Sequence, residues 1–323
     1  MEGFKTTNPQ STLAKDLTLQ QKIRQLAKKK NALILAHYYQ TEDIQQVADF
    51  VGDSLGLAKK ARDANHDIIV FSGVKFMAET AKILNPTKKV LLPDMMAGCS
   101  LADNCPPDKF KDFIEAHPDH YVITYVNTSA EIKAMSDMIC TSSNAEEIVA
   151  QVPADKKIIF APDANLGKYI MTQTKRDMVL WDGVCVVHEA FSIDKLLELM
   201  KEHPGAKLIA HPESEDHILR IAHFVGSTGK MINHVKESKD DTFIVATEAG
   251  ILYKMQQEAP DKNLIPAPAH EDNTCACSEC SYMKVNTLEK LYQCLLDETP
   301  SIELGEDLIK KATIPLKRMF ELS

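Results

Sequence analysis

The sequence predicts an α/β protein: three homologous three-layer αβα domains with parallel sheets, arranged with pseudo-threefold symmetry around a central cavity. Three recurrences within the chain predict it. Short apolar runs at 32–36, 121–126 and 207–210 end at or beside His37, Tyr125 and His211, spaced by 88 and 86 residues. The hydroxyl residues Ser54, Ser142 and Thr228 follow at the same two spacings. Each copy then reaches a cysteine: Cys99, Cys185, and a group of Cys275, Cys277 and Cys280. A period this long marks a domain repeat, not a solenoid. Strands alternating with helices imply parallel sheets with right-handed crossovers. A unit of about 86 residues buries a modest core alone, so the three are expected to share an interface.

Residues 1–30 form an N-terminal segment and a helix. Thr18-Leu19-Gln20-Gln21 has the form of a capping box, and Leu19, Ile23 and Leu26 mark a buried helical stripe to about Lys30. The first unit, 31–115, begins with the strand at 32–36. Thr41 with Asp43 is compatible with a helix start. Asp49-Phe50-Val51-Gly52-Asp53-Ser54 leads into a further helix, 68–71 is a buried strand, Lys75–Leu84 a helix, and 90–92 the strand before Cys99. The second unit, 116–203, repeats this with Ser129 and Glu131, Ser142, and strands at 158–160 and 178–180. The third, 204–300, does so with Ser214 and Asp216, Thr228, strands at 243–246 and 264–265, and a helix at 250–257. Each unit is thus read as strand–helix–strand–helix–strand. Residues 301–323 read as a C-terminal helix broken at Pro315, because proline removes a helical hydrogen bond and crowds the preceding turn.

Composition narrows the function. The 323 residues carry 37 Lys and Arg against 46 Asp and Glu, a net charge of −9. No basic surplus exists to neutralise a phosphate backbone, so nucleic acid is not expected as a partner. The N-terminus lacks an apolar signal core and no window of eighteen residues is apolar, so neither export nor membrane insertion is expected. A cytoplasmic location follows as the default. Eight cysteines are then expected as thiols serving metal or catalysis rather than as disulfides. No P-loop, GxGxxG or HExxH occurs, so nucleotide hydrolysis, dinucleotide redox chemistry and zincin proteolysis lack support.

The repeats carry the chemistry. In open α/β units ligands sit outside the carboxyl ends of strands, where His37, Tyr125 and His211 lie. Ser54, Ser142 and Thr228 lie at helix starts, where free N–H groups favour anions. Any one of them alone reads as an N-cap; the threefold recurrence points to a cavity for a ligand rich in carboxylate or phosphate. One cysteine per unit suits a [4Fe–4S] cluster with three Cys ligands and one open iron acting as a Lewis acid. Cys275-x-Cys277-x-x-Cys280 also fits half a zinc site or a redox pair, although no second CxxC completes a four-Cys zinc site. Cys140 and Cys294 read as core, and Cys105 stays open. His188 and Glu189 fit either a shell around a metal group or a plain helix start. Glu213, two residues past His211, is expected to be a partly desolvated carboxylate with a raised pKa, acting as base and then acid.

Several segments together resemble quinolinate synthase. They include Ala36-His37-Tyr38-Tyr39-Gln40, Gly52-Asp53-Ser54-Leu55, Pro93-Asp94-Met95-Met96-Ala97-Gly98-Cys99-Ser100 and Thr124-Tyr125-Val126-Asn127. They continue with Cys140-Thr141-Ser142-Ser143-Asn144, Pro162-Asp163-Ala164-Asn165-Leu166-Gly167, Cys185-Val186-Val187-His188-Glu189, His211-Pro212-Glu213, Gly226-Ser227-Thr228 and Thr247-Glu248-Ala249-Gly250. The resemblance covers about residues 20–320. It implies three pseudo-symmetric α/β domains around a [4Fe–4S] cluster. It further implies condensation of iminosuccinate with dihydroxyacetone phosphate to quinolinate, with loss of phosphate and water, for de novo NAD synthesis. An L-aspartate-oxidising enzyme would supply the iminosuccinate. The cluster ligands carry over to Cys99, Cys185 and Cys280, the last because Tyr282-Met283 and Asn286 follow it as in the family. The Cys275–Cys277 spacing departs from the family's Cys-rich form. Substrate contacts carry over to His37, Ser54, Tyr125, Val126, Asn127, Ser142, His211, Pro212, Glu213 and Thr228. Tyr39 and Glu213, with His211 beside them, match the family's acid–base residues.

Overall fold

The computed structural model describes residues 17–270 and 278–322. The first sheet contains β1 (Ala32–His37), β2 (Phe50–Gly52), β3 (Ile68–Ser72) and β4 (Lys89–Leu91). The second contains β5 (His120–Tyr125), β6 (Met138–Cys140), β7 (Lys157–Ala161) and β8 (Val179–Leu180). The third contains β9 (Lys207–Ala210), β10 (Phe224–Val225), β11 (Thr242–Ala246) and β12 (Asn263–Pro266). All pairings are parallel, and each sheet has the same spatial order, with its second strand at one edge, then its first, third and fourth. The chain therefore reverses its direction of winding beside β1, β5 and β9, the place where open sheets leave a crevice.

The first strand, β1, is apolar from Ala32 to Ala36 because both its faces are covered. Leu33, Leu35, Ile69 and Phe71 enter one core, while Ala32, Ile34, Ile68 and Val70 enter another. The first two sheets share a core in which Leu35 and Ile69 join Ile123, Ile148 and Phe160. The third has its own core of Ile209, Phe243 and Val245, against which Tyr38 and Tyr39 of the first unit pack. The capping box at Thr18 is made: its hydroxyl accepts the Gln21 N–H at 3.2 Å and its own N–H donates to the Gln21 side chain at 3.0 Å. The helix it starts spans Leu19–Lys29 and buries Ile23 and Ala27.

The structure departs from the sequence reading in three places. Each unit has four strands rather than three, because Phe50–Gly52, Met138–Cys140 and Phe224–Val225 pair at a sheet edge. Runs of two or three residues carry too little periodicity to be read as strands. Ser214 does not start a helix; Glu215 is the N-cap of Asp216–Ile221. Nor does Pro315 break the last helix, which runs through it from Glu306 to Glu321. Pro315 is buried with Ala312, Leu316 and Met319, and the helix packs on Ala130–Ala134 and β6. Burial of that face outweighs the roughly 3 kcal/mol an interior proline costs. Among the described residues, no helix is long and apolar enough to cross a membrane.

Candidate functional site

One cavity is lined by residues from all three sheets' carboxyl ends: His37, Tyr39, Tyr125, Asn127, His211 and Glu213. Ser54, Ser142 and Thr228 line it too, as do Cys99, Cys185 and Cys280. Val126 and Pro212 do not. Both are buried, and the N–H of Val126 donates to the Cys140 carbonyl at 2.8 Å while its own carbonyl accepts from Lys133 at 2.8 Å.

The two histidines share a local frame. Nδ1 of His37 accepts the N–H of Tyr39 at 3.1 Å, and Nδ1 of His211 accepts the N–H of Glu213 at 3.4 Å. A ring nitrogen that accepts carries no proton, so each neutral ring has its proton on Nε2. His211 Nε2 reaches Ser142 Oγ at 3.2 Å. Burial lowers both histidines to about 3, helped by His211 beside His37 and by His188 beside His211. They are neutral donors at physiological pH.

Glu213 is the centre of a polar network. Tyr125 Oη donates to its Oε1 at 2.6 Å. His188 Nδ1 lies 3.1 Å from Oε2 without the alignment of a made hydrogen bond, and its ring stacks on His211 with centroids 4.8 Å apart. Thr247 Oγ1 bridges His188 Nε2 at 2.9 Å and Tyr39 Oη at 2.7 Å. Burial alone raises a carboxyl, as the sequence reading expected. Here His188, His211 and the Tyr125 hydroxyl overcome burial and bring Glu213 down to about 2. These neighbours favour the carboxylate form of Glu213. Burial and then Glu213 push the Tyr125 and Tyr39 hydroxyls and the Asp163 carboxyl well above their ordinary ranges.

The hydroxyl residues are freed by their neighbours. Asp53 and Ser227, not Ser54 and Thr228, cap their helices: Asp53 accepts the Gly56 N–H at 2.7 Å and Ser227 the Lys230 N–H at 3.4 Å. Ser54 and Thr228 are first helical residues. Ser142 precedes the helix Ala145–Gln151 by three residues. Ser143 Oγ joins the three segments, lying 3.1 Å from Asp53 Oδ2 and 3.0 Å from Ser227 Oγ. An ionised carboxylate only accepts, so Ser143 donates to Asp53 and Ser227 donates to Ser143. Asp53 and Ser143 line the cavity and were not singled out as site residues. The signal was present, since they flank Ser54 and Ser142 as Ser227 flanks Thr228.

The three cysteines also share a frame. Each caps a four-residue helix: Ser100–Asp103, Val186–Glu189 and Ser281–Lys284. Gly183 lets the second of these turns pass, since a β-carbon there would lie 2.4 Å from the Pro162 carbonyl oxygen. Burial pushes the Cys99 thiol up to about 12 and raises Cys185 and Cys280, while N–H groups of the short helices favour the thiolates. All three are free thiols. Three sulfurs on one cavity, each met by backbone N–H donors, form a donor set suited to a soft metal group. Cys105, Cys140 and Cys294 are buried and do not line the cavity. Trp181 packs on Phe110 and Phe113. Cys275 and Cys277 lie outside the described residues.

The model of the family described as Quinolinate synthetase A protein matches residues 21–321. The chain belongs to this family. It is 58% identical to the quinolinate synthase of Microcystis aeruginosa over 99% of this chain and 100% of that one. It is 58% identical to that of Thermosynechococcus vestitus over 98% of each chain, and 56% identical to that of Trichodesmium erythraeum over 93% of each. The chain is an enzyme of the type its family names, and the cavity is where its buried, polar, thiol-bearing residues meet.

Proposed function

We propose that this chain condenses iminosuccinate with dihydroxyacetone phosphate to quinolinate, releasing phosphate and water, in NAD biosynthesis. The observation that carries this reading is the meeting of three capped cysteine turns, two neutral histidines and the Glu213 carboxylate on one cavity. We read the chain as a segment at 1–30, units at 31–115, 116–203 and 204–300, and a helix at 301–323. A pseudo-threefold axis through the cavity relates the units. Cys99, Cys185 and Cys280 would hold a [4Fe–4S] cluster with one iron lacking a protein ligand; when bound, it supplies a Lewis acid for a substrate oxygen.

The chain's own residues do the rest. Ser54, Ser142 and Thr228, backed by helix starts, hold phosphate and carboxylate oxygens in a chain with no cationic surplus. His37 and His211 donate their Nε2 protons to substrate oxygens, and Asn127 and Tyr125 orient the substrate. Val126 and Pro212 act through the turns that hold these residues. Glu213 removes a proton from substrate carbon. Tyr39, which keeps its proton, delivers it to a departing oxygen. Thr247 bonds both Tyr39 and His188, and His188 lies beside Glu213, so the two acid–base groups belong to one polar network. The iminosuccinate comes from an L-aspartate-oxidising enzyme, and the reaction is cytoplasmic.

A second reading has one observation behind it. Cys185, His188 and Glu213 offer ligand atoms within 4.8 Å of one another, as a single zinc ion would need. It leaves Cys99 and Cys280 unused and takes Glu213 from Tyr125. Anaerobic purification separates the two. Iron and sulfide near four each per chain, with quinolinate formed from the two substrates, support the cluster enzyme. Zinc without iron overturns it. Since the buried thiols hold protons when metal-free, metal loading should release protons.

A further inference from the structure

The segment Thr247-Glu248-Ala249-Gly250 follows β11 and does not line the cavity. It nevertheless holds Tyr39 from three sides. Thr247 meets the Tyr39 hydroxyl. Lys284 Nζ pairs with Glu248 Oε1 at 2.8 Å and donates to the Tyr39 carbonyl at 2.7 Å. Gly250 lies so close to the Tyr39–Gln40 peptide that a β-carbon would fall 2.9 Å from the Tyr39 carbonyl carbon and the Gln40 oxygen. Glu248 is fully buried, and both its oxygens are also bonded to backbone. Oε1 accepts the Cys280 N–H at 3.0 Å and Oε2 the Gly250 N–H at 2.7 Å. Lys284 ends the short helix that Cys280 begins, and the Gln40 amide donates to Met283 in that helix at 3.1 Å. One buried carboxylate therefore anchors the amide of Cys280 and, through Lys284, the carbonyl of Tyr39.

We propose that the Glu248–Lys284 ion pair is a positioning device that ties Tyr39 to the turn carrying Cys280. The proposal rests on the acid–base reading of Tyr39 given above. A buried ion pair contributes little net stability compared with apolar packing of the same volume. Its bonds to three separate backbone groups serve geometry instead. The segment that presents the third thiol also sets where Tyr39 stands, and neither group moves without the other.

The test is a double-mutant cycle on the metal-loaded enzyme, with Tyr39→Phe and Lys284→Met made singly and together. Lys284→Met should lower kcat roughly ten- to hundredfold, as expected when a reacting group is misplaced by about 1 Å, with KM for dihydroxyacetone phosphate little changed. Lys284→Arg, which keeps donors for both oxygens, should recover most of the loss. Compared per iron bound, the double variant should be no slower than Tyr39→Phe, because Lys284 acts on turnover through Tyr39. Losses that multiply in the double variant overturn the proposal. Tyr39→Phe with wild-type turnover removes the acid–base reading itself, and the proposal with it. Should Lys284→Met fail to fold with Glu248 left unpaired, the combined Glu248→Gln, Lys284→Met variant, which removes both charges, takes its place in the cycle. A measurement without turnover tests the other end of the link. A chelator should strip iron faster from the Lys284 variant and at the wild-type rate from Tyr39→Phe. Equal rates in all three proteins overturn the tie to Cys280.

Discussion

The loops after β1 and β9 are the same device with different tips. In each, a strand-end histidine uses Nδ1 to accept the N–H two residues on, points Nε2–H into the cavity, and stays neutral through burial. The residue whose N–H it accepts is Tyr39 in one loop and Glu213 in the other. The shared frame fixes where that side chain leaves the backbone; the side chain fixes what it does. Burial pushes both groups toward their neutral forms. Tyr39 yields to that push, whereas Glu213, beside His188 and accepting from the Tyr125 hydroxyl, is lowered against it. A repeated frame thus carries a phenol that keeps its proton on one copy and a carboxyl that favours its ionised form on the other, both on one cavity.

The comparison can be broken most directly at its tips. Glu213→Gln keeps the shape and the Tyr125 contact but removes the base, and should lower kcat by about 10²- to 10⁴-fold while metal content stays at wild type. Tyr39→Phe should cost less, about 10²-fold, because water can replace a proton donor more readily than a carboxylate poised over carbon. A Tyr39→Phe loss exceeding that of Glu213→Gln would reverse the assignment. Ser142→Ala reaches only the His211 side, through the 3.2 Å contact to Nε2. It should weaken binding of the anionic substrate by about 1.5–3 kcal/mol, read as a rise in Kd, with little change in the slope of rate against pH.

The smallest effect tests what the two loops share. His37 and His211 fall from 6.5 to about 3 on folding. Between those values the unfolded chain binds protons that the folded chain does not, so stability falls as pH drops through 6.5 toward 3. Urea midpoints measured from pH 7.5 down to 5 should decline. Replacing either histidine by glutamine should flatten that decline by the same amount. Unequal flattening would show that the frames differ in more than their tips.

The framework was legible because it is repetitive. Buried parallel strands leave continuous apolar runs, and three copies in register made His37, Ser54, Cys99 and their counterparts stand out. Glu213 was found by its place beside His211, yet its ionisation was misjudged, because His188 and Tyr125 both approach it from the second unit. Pro315 was misread for the same reason: its cost is local and its compensation is tertiary. Asp53 and Ser143 were visible as neighbours of marked residues, but nothing in their spacing told that their side chains bond to one another. Lys284 and Glu248 are 36 residues apart, and no local pattern pairs them.

The hydrogen-bonded knot of Asp53, Ser143 and Ser227 bears on the order in which the molecule is made. Each of its residues comes from a different third of the chain, and the last is Ser227. The cores of the first two sheets also wait for late residues, since Leu291 and Leu295 join one and Ala312, Leu316 and Met319 the other. The floor between the three helix starts does not exist until the segment around Ser227 has emerged, and Cys280 follows later still.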